Sequence, residues 1–254
     1  MIRLKMPSHG FRIAVIPDVQ ARQGVPLDHL KWCGQYLAAK QPDVVVCIGD
    51  FVDMPSLSTH EGKGALRLEG KRYQKDIDAG KQGMELLTRH MHSSTWRPKM
   101  ILTLGNHEDR ISRAINNDPR LEGLMSLDDL KYKDYGWDVY PFLQPVCIAG
   151  TAFCHYFPSG IMGKPIVSAK ALLSKLHMSA YAGHLQGRDI AYAHRADGKD
   201  MTAIISGSFY QHNEDYLSPF TNNHWRGMYF LHEVKDGSFD EMAISISYLK
   251  RKFK

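Results

Sequence analysis

The amino-acid sequence predicts an α/β protein built as a layered α-β-β-α sandwich, with two mixed sheets packed face to face between flanking helices. Two observations support this prediction. In the first half of the chain, short runs rich in Val and Ile alternate with longer segments of helical periodicity, which favours a mainly parallel sheet covered by helices. In the second half the apolar runs are short and few helices separate them, which indicates a second sheet stacked on the first.

The first half of the chain supplies three strands and two helices. We expect the strands at Phe11–Ile16, Asp43–Ile48 and Met100–Leu104. The run DVVVCI in the second of these is almost continuously apolar, as expected of a strand covered on both faces. We expect the helices over Leu27–Lys40 and Leu68–His92, although Gly80 and Gly83 weaken the second pattern.

The second half supplies several short strands and one convincing helix, Ile166–Leu176. The strands are expected at Val146–Ala149, Ala152–His155, Ser179–Ala182, Ile190–Ala193, Thr202–Ile205, Met228–Val234 and Met242–Tyr248. The polar segments 54–72, 112–136 and 208–226 are expected to be variable loops. The basic residues 250–254 are interpreted as a frayed, solvated tail. Because no repeat or low-complexity stretch interrupts the chain, we expect a single domain over residues 1–254.

The composition is that of an ordinary globular protein, with 254 residues of which 43% are hydrophobic and 23% charged. No run approaches the ~18 apolar residues of a membrane span, and the N-terminus lacks the apolar segment of a signal peptide. The four cysteines are scattered without a CxxC pair, which is typical of reduced thiols. We therefore expect a cytoplasmic protein with no membrane contact. The net charge of +5 favours phosphate-bearing partners, and no obligate protein partner is evident.

Polar side chains follow several predicted strands at the point where each strand ends. PDVQ (17–20), GDFVD (49–53) and GNHED (105–109) follow the first three strands, while His155 and GHLQ (183–186) end two strands of the second half. Ligands bind beyond the carboxyl ends of the strands in an open α/β sheet, so we expect these side chains to meet in one cluster. PDVQ by itself is better explained as a turn, since Pro-Asp pairs are common in turns.

In this order and spacing, the motifs resemble those of the calcineurin-like metallophosphoesterases, which run DxH, GDxxD, GNH(D/E), H and GHxH. ISGS (205–208) also resembles the segment that follows GHxH in that family. The resemblance spans residues 13 to about 208. It implies a metal-dependent phosphoric ester hydrolase with two divalent ions, in which a metal-bound water or hydroxide attacks a phosphomonoester or a phosphodiester.

The residue types suit this chemistry, because two ions ~3.5–4 Å apart can stabilise charge on both the attacking and the leaving oxygen. The resemblance makes Asp50 the ligand shared by both ions. It adds Asn106, His155 and His184 at the second ion. At the first ion, it adds Asp18, Gln20 and Gln186.

Two of these positions depart from the family pattern, and both departures fall on the first ion. Gln20 and Gln186 stand where the family has His. Amide oxygens in place of imidazoles create an oxygen-rich site that suits Mn²⁺ or Mg²⁺ better than Zn²⁺. We therefore expect Mn²⁺, with Mg²⁺, Fe or Zn²⁺ as alternatives. The competing interpretation is a damaged site that binds one ion or none, and His194 is a possible substitute ligand.

His107 and Asp53 complete the catalytic set that the resemblance implies. His107 would donate a proton to the leaving oxygen and Asp53 would orient it, which suits a histidine of near-neutral pKa. Arg110 is a candidate for binding substrate phosphate, but an ion pair with Asp109 or Glu108 is equally consistent. Eight histidines that match no motif position are interpreted as surface or core residues, with His194 as the least certain of them; they are His60, His90, His92, His177, His194, His212, His224 and His232.

Two other functions remain open on the same fold. The first is a nuclease-type phosphodiesterase acting on nucleic acid, with aromatic residues of segment 208–226 stacking on bases. Those aromatics are Phe209, Tyr210, Tyr216, Phe220 and Trp225, and they are better explained as residues that pin the segment to the core. The second is a binding module that has lost catalysis, which the retention of His107 and Asp53 argues against.

Overall fold

The structure, a computed structural model, describes residues 5–59, 69–91, 95–214 and 217–254. The strands in this part of the chain are β1 (Phe11–Ile16), β2 (Val44–Cys47), β3 (Lys99–Thr103), β4 (Asp138–Tyr140), β5 (Val146–Ile148), β6 (Thr151–Cys154), β7 (Ser179–Ala182), β8 (Arg188–His194), β9 (Asp200–Ser206), β10 (Gly227–Lys235) and β11 (Ser238–Ser245). The helices are α1 (Asp28–Lys40), α2 (Tyr73–Thr88), α3 (Asp109–Asn117), α4 (Ala169–Leu176), α5 (Pro219–Asn222) and α6 (Ile246–Phe253). The predicted α/β class with two mixed sheets is confirmed.

The strand order places the ends of the motif-bearing strands at one edge of each sheet. The first sheet has the order β11-β10-β1-β2-β3-β4 and the second has the order β5-β6-β7-β9-β8. Strands β1 to β4 are parallel to one another, as are β6, β7 and β9. Parallel strands end on the same side of a sheet, so the residues that follow them are brought together.

The core between the two sheets combines side chains from both. Its fully buried members include Val15, Val46, Ile101, Phe153, Tyr181 and Ile204. The opposite face of the first sheet packs against α1, α2 and α6, while α4 covers the second sheet. Strand β1 contributes Val15 to the core between the sheets and Ile16 to the core under the helices. Burial on both faces explains why residues 13–16 of this strand are apolar without interruption.

The expectation that all strands of the second half form the second sheet is wrong for β10 and β11. Strand β10 pairs antiparallel with β1, opposing Phe230 to Ala14, and β11 pairs with β10. An apolar run specifies a buried strand but not its neighbour, because pairing is decided by contacts far apart in sequence.

The C-terminus also differs from the prediction. The run Met242–Tyr248 is not one strand: β11 ends at Ser245, whose hydroxyl accepts a hydrogen bond from the Tyr248 amide at 3.1 Å and caps α6. The basic tail is not frayed, because it belongs to α6. Leu249 is fully buried against α1 while Lys250 is exposed. The tail is therefore the solvent-facing side of an amphipathic helix.

The polar segment 112–136 is more regular than expected. It contains the end of α3 and 3₁₀ turns at Pro119–Leu121, Leu127–Leu130 and Tyr132–Tyr135. In the second predicted helix, Leu68 and His92 lie outside the described residues, as does part of segment 54–72. Gly83 is present in α2 because a Cβ there would lie 3.1 Å from the Leu30 side chain. The lower helix propensity of glycine at this position is offset by the close packing of α2 against Leu30 of α1.

Two further predictions concern the cysteines and membrane contact. All four cysteines are free, and three of them are buried. In the described part of the chain, no helix is long and apolar enough to span a membrane.

Candidate metal centre

Five predicted ligands lie together at the carboxyl edge of the two sheets. They are Asp18 after β1, Asp50 after β2, Asn106 after β3, His155 after β6 and His184 after β7. Potential ligand atoms of Asp50, His155 and His184 lie within 4.8 Å of one another. The cluster therefore draws three side chains from the first sheet and two from the second.

The oxygen and nitrogen atoms of this cluster are closely spaced. Asn106 Oδ1 lies 2.8 Å from both His155 Nε2 and His184 Nδ1. Asp50 Oδ2 lies 3.3 Å from His155 Nε2. Asp18 accepts the backbone N–H of His184 at 3.1 and 3.0 Å through its two carboxylate oxygens. This last contact joins the end of β1 to the end of β7.

The backbone is strained where the cluster is built. Gln20 and Asp50 have φ of 48°, and His184 has φ of 67°, a left-handed conformation that is costly for residues other than glycine. Two glycines make room for the carboxylates: a Cβ would lie 2.1 Å from Asp50 Oδ1 at Gly105 and 2.4 Å from Asp18 Oδ1 at Gly183. Strain retained at several adjacent positions is typical of functional sites.

The donor set fits a divalent cation. His155 Nδ1 lies 2.9 Å from the Ile48 carbonyl and donates to it, so Nε2, on the side of Asp50 and Asn106, is the nitrogen that would bind a metal ion once it has lost its proton. A carboxylate, an amide oxygen in its present orientation and two imidazoles then converge, which is the mixed oxygen and nitrogen environment that metal ions bind. A carbonyl that fixes the far nitrogen of a ligating histidine is a common support for such sites.

The pKa values of the cluster show how strongly its charges interact. Burial raises the pKa of Asp18 to about 7. Burial alone would lower the pKa of His155, but the Asp50 carboxylate raises it to about 9. Burial and the charge of His155 lower the pKa of His184 to about 4. Burial would raise the pKa of Asp50, but His107 and His155 hold it well below its usual range, which keeps Asp50 an anion.

His107 and Asp53 form a pair beside this cluster. His107 Nδ1 lies 3.0 Å from Asp53 Oδ1, out of line for a hydrogen bond but close enough for a strong charge interaction. His107 Nε2 lies 3.7 Å from Asp50 Oδ2. Burial would lower the pKa of His107, but the charge of Asp50 and the contact with Asp53 raise it above its ordinary value. The two carboxylates therefore favour the protonated imidazole, whereas the charge of Arg110 opposes it.

Arg110 adopts neither of the ion pairs that the sequence allowed. It is buried, and its Nη1 donates to the Asp53 carbonyl at 2.7 Å. Its Nη2 lies 3.1 Å from His107 Nε2. Asp109 instead pairs with Arg113 at 3.2 Å. The Arg110 guanidinium thus lies next to the nitrogen from which His107 would donate a proton.

The two glutamines at the variant positions differ in their surroundings. Gln186 Oε1 accepts a hydrogen bond from the Tyr210 hydroxyl at 2.7 Å, which leaves one lone pair of this oxygen for another partner. Gln20 is 2% exposed, and its backbone N–H donates to the Asp50 carbonyl at 2.8 Å. Their assignment to the first ion stays a prediction.

His194 is not a substitute ligand. Its side chain is 86% exposed at the end of β8 and pairs with Asp200. Because β8 runs antiparallel to β9, it leads away from the site. Of the histidines interpreted as surface or core residues, His60 and His92 lie outside the described residues.

Sequence reasoning missed Glu108, the acid of GNHED. Its buried carboxylate accepts four backbone N–H groups, those of Asp50, Phe51, Val52 and Gly105, at 3.0, 2.8, 3.2 and 2.8 Å. It also accepts the Tyr132 hydroxyl at 3.1 Å. Glu108 thus ties the loop after β2 to the loop after β3. Its place inside the motif GNHED, between His107 and Asp109, was the available signal.

Sequence reasoning also missed a charged bridge behind Asp53. Arg22 Nη1 donates to Asp53 Oδ2 at 2.8 Å and to Glu214 Oε2 at 2.9 Å. The Glu214 side chain is 3% exposed and also accepts His212 Nε2 at 2.8 Å. Arg22 is close to PDVQ, but no local pattern marks Glu214, which lies 192 residues away.

The aromatic residues of segment 208–226 mostly hold it against the core. Phe209 and Tyr210 are fully buried, and Trp225 lies under the guanidinium of Arg188 at 4.7 Å. Phe220 is exposed, while Tyr216 lies outside the described residues. The described part of this segment therefore offers no row of exposed rings for nucleic-acid bases.

Comparison with known families agrees with this geometry. A family model described as calcineurin-like phosphoesterase matches residues 11–207. A search of curated proteins found no significant match. The matched range begins with β1 and ends just after β9, so it includes every predicted ligand and leaves β10, β11 and α6 outside.

Proposed function

Because the chain belongs to the calcineurin-like phosphoesterase family, we propose that it hydrolyses a phosphomonoester or phosphodiester at a centre for two divalent ions. One observation supports this most directly: ligand atoms of Asp50, His155 and His184 converge within 4.8 Å. The family implies metal-dependent hydrolysis of phosphoric esters, and this cluster has the donors that such chemistry requires.

The residues around the cluster have distinct roles in this proposal. Bound divalent ions would supply Lewis-acid stabilisation of the phosphate oxygens and lower the pKa of water. His107 donates a proton to the leaving oxygen, and Asp53 holds it in position from 3.0 Å. Arg110 Nη2, 3.1 Å from His107 Nε2, binds a phosphate oxygen next to the leaving group. A guanidinium is well suited to this contact because its donors match phosphate geometry.

The first ion is proposed to lie near Asp18 with Gln20, Gln186 and the shared Asp50, and to be Mn²⁺ or Mg²⁺. Amide oxygens are poorer donors than imidazoles for late transition metals, so this ion should bind more weakly than the second. Replacing both glutamines by histidine (Gln20→His with Gln186→His) should raise affinity and shift preference towards Zn²⁺. Two equally tight Zn²⁺ ions in the unchanged protein would contradict the proposal.

The function is tested by hydrolysis of bis-p-nitrophenyl phosphate and p-nitrophenyl phosphate by metal-free protein with added Mn²⁺ or Mg²⁺. We expect turnover that depends on the ion and is lost with EDTA. The relative rates of the two esters separate a diesterase from a monoesterase. Protein that binds ions tightly but hydrolyses neither of these esters, nor any member of a broad phosphoester panel, would support the binding module instead.

A further inference from the structure

A cleft of about 660 Å³ lies beside the candidate metal centre, between α3 and the segment 127–142. Leu104, Leu127, Val139 and Phe142 form its apolar wall. This volume lies in the range of small-molecule sites, which are concave and mainly apolar with a few polar groups. None of the roles proposed above uses this cleft.

The cleft lies next to the metal centre, with the Phe142 ring between them. The ring of Phe142 lies 6.3 Å from that of His155 and 5.6 Å from that of Tyr156. The Tyr156 ring in turn lies 4.8 Å from that of His184. Aromatic rings therefore lead from the cleft wall to two candidate ligands. Asp109, on the cleft rim, is only three residues from Asn106.

We propose that the cleft binds the organic group of the phosphoester, and that this group contains a planar aromatic ring. The proposal rests on the phosphoesterase function above, which places the phosphate at the metal centre and its organic group within reach of Tyr156 and Phe142. Ring faces and edges pair favourably at centroid separations of about 4.5–7 Å, so this row of rings favours an aromatic group over an alkyl chain.

The charged groups that line the cleft offer polar contacts to such a ring. They are Asp109, Asp128, Asp134, Lys131 and Lys133. Asp109 pairs with Arg113 and Asp128 with Lys133, so the lining carries no excess charge of either sign. Its carboxylates are hydrogen-bond acceptors for N–H or O–H groups on a ring. The ligand class is thus an aryl or nucleoside group attached to phosphate.

The test compares binding of benzylphosphonate and methylphosphonate to Mn²⁺-loaded protein by titration calorimetry, which does not depend on turnover. Methylphosphonate is too small to reach the cleft, so its Kd reports on the metal centre alone. We expect benzylphosphonate to bind more tightly than methylphosphonate. The Phe142→Ala change should shrink the ratio of the two Kd values by about 2- to 12-fold, the range for one aromatic pair.

Two further variants make the test specific. Phe142→Leu retains apolar volume without a ring, so it should also reduce the ratio of the two Kd values. It provides the same test if Phe142→Ala fails to fold. Phe220→Ala removes an aromatic side chain that is 89% exposed in segment 208–226 and should leave the ratio unchanged. A nucleoside 5′-phosphonate in the same titration shows whether the ring is a base or a simple aryl group.

The outcomes separate this inference from the proposed function. Equal Kd values for the two phosphonates, or a ratio that both Phe142 variants leave unchanged, would overturn the aromatic cleft while leaving the phosphoesterase intact. Failure of both phosphonates to bind in the presence of Mn²⁺ would overturn the metal centre, and the cleft with it.

Discussion

Asp50 contacts neighbouring residues of the candidate site through both its side chain and its backbone. Its Oδ1 accepts the His107 amide at 2.9 Å, its Oδ2 faces His155, and its own amide donates to Glu108 at 3.0 Å. Its left-handed backbone conformation is held by these contacts from three sides. A residue constrained in this way keeps one carboxylate orientation, as a ligand shared by two ions requires.

Asp50→Asn should therefore abolish tight occupancy of at least one metal, because it removes the charge that both ions would share. Elemental analysis of purified protein measures this directly. Asp240→Asn changes an exposed carboxylate of β11 in the same way and should leave metal content unchanged. Near-normal metal content in Asp50→Asn would refute its role as the shared ligand.

His107→Ala should keep the metals and lower turnover by roughly 10²–10⁴-fold, the usual contribution of a general acid. The loss should be smaller for p-nitrophenyl esters, whose leaving group needs no proton, than for alkyl esters. Steady-state kinetics on both ester types measures the difference, with His194→Ala as the control at an exposed histidine. An equal loss for both ester types would indicate that His107 binds phosphate instead.

At the scale of elements, the centre depends on how neighbouring loops are joined. The loops after β2 and β3 share the Glu108 carboxylate, and the start of segment 208–226 is joined to Asp53 through Arg22 and Glu214. Catalytic loops held by buried hydrogen bonds keep their geometry without the ligand. The loop after β2 is therefore supported from both sides of the cluster.

Glu108→Gln should lower the free energy of unfolding by about 1–3 kcal/mol, because its amide N–H₂ would face backbone donors that lose an acceptor. It should also weaken metal binding, since the backbone of Asp50 loses a partner. Urea denaturation of the metal-free protein and a Mn²⁺ titration measure the two effects. Glu122→Gln, at an exposed acid, is the matched control. A normal Mn²⁺ affinity in Glu108→Gln would contradict this positioning role.

Leu249→Ala tests the C-terminal helix. The side chain is fully buried against α1, so truncation should cost about 2–5 kcal/mol of unfolding free energy. Lys250→Ala, next to it on the exposed face, should change stability by less than about 0.5 kcal/mol. Equal small effects in urea denaturation would mean that the tail is frayed after all.

At the scale of the whole molecule, the centre connects the two sheets. Asp18, Asp50 and Asn106 follow strands of the first sheet, whereas His155 and His184 follow strands of the second. A cation held by both sets of ligands would join the two layers at their carboxyl edge. Binding to the folded state alone would then stabilise the whole protein.

Excess Mn²⁺ should therefore raise the free energy of unfolding relative to EDTA-treated protein, by about 2.7 kcal/mol at a concentration 100 times Kd. Urea denaturation with Mn²⁺ and with EDTA measures this increase in the free energy of unfolding. The increase should be smaller in Asp50→Asn, which lacks the shared carboxylate. The same stability with and without Mn²⁺ would mean that no ion is bound across the two sheets.

The sequence by itself determined the positions of most strands and of the polar motifs, because both are local patterns; it did not indicate β4 at Asp138–Tyr140. Apolar runs set β1, β2 and β7, and glycines followed by acids, amides or histidines marked where the chain turns into the site. The sequence also placed Asp50, His155 and His184 at strand ends, and parallel strands brought them within 4.8 Å.

Tertiary structure alone decided which partners meet across the chain. Ala14 in β1 opposes Phe230 in β10, and Arg22 meets Glu214 across 192 residues. No local pattern encodes such pairs, since they depend on how distant surfaces fit when the chain closes. The short apolar run before Leu249 is compatible with either a strand or a helix. Packing of Leu249 against α1 stabilises the helix α6 there.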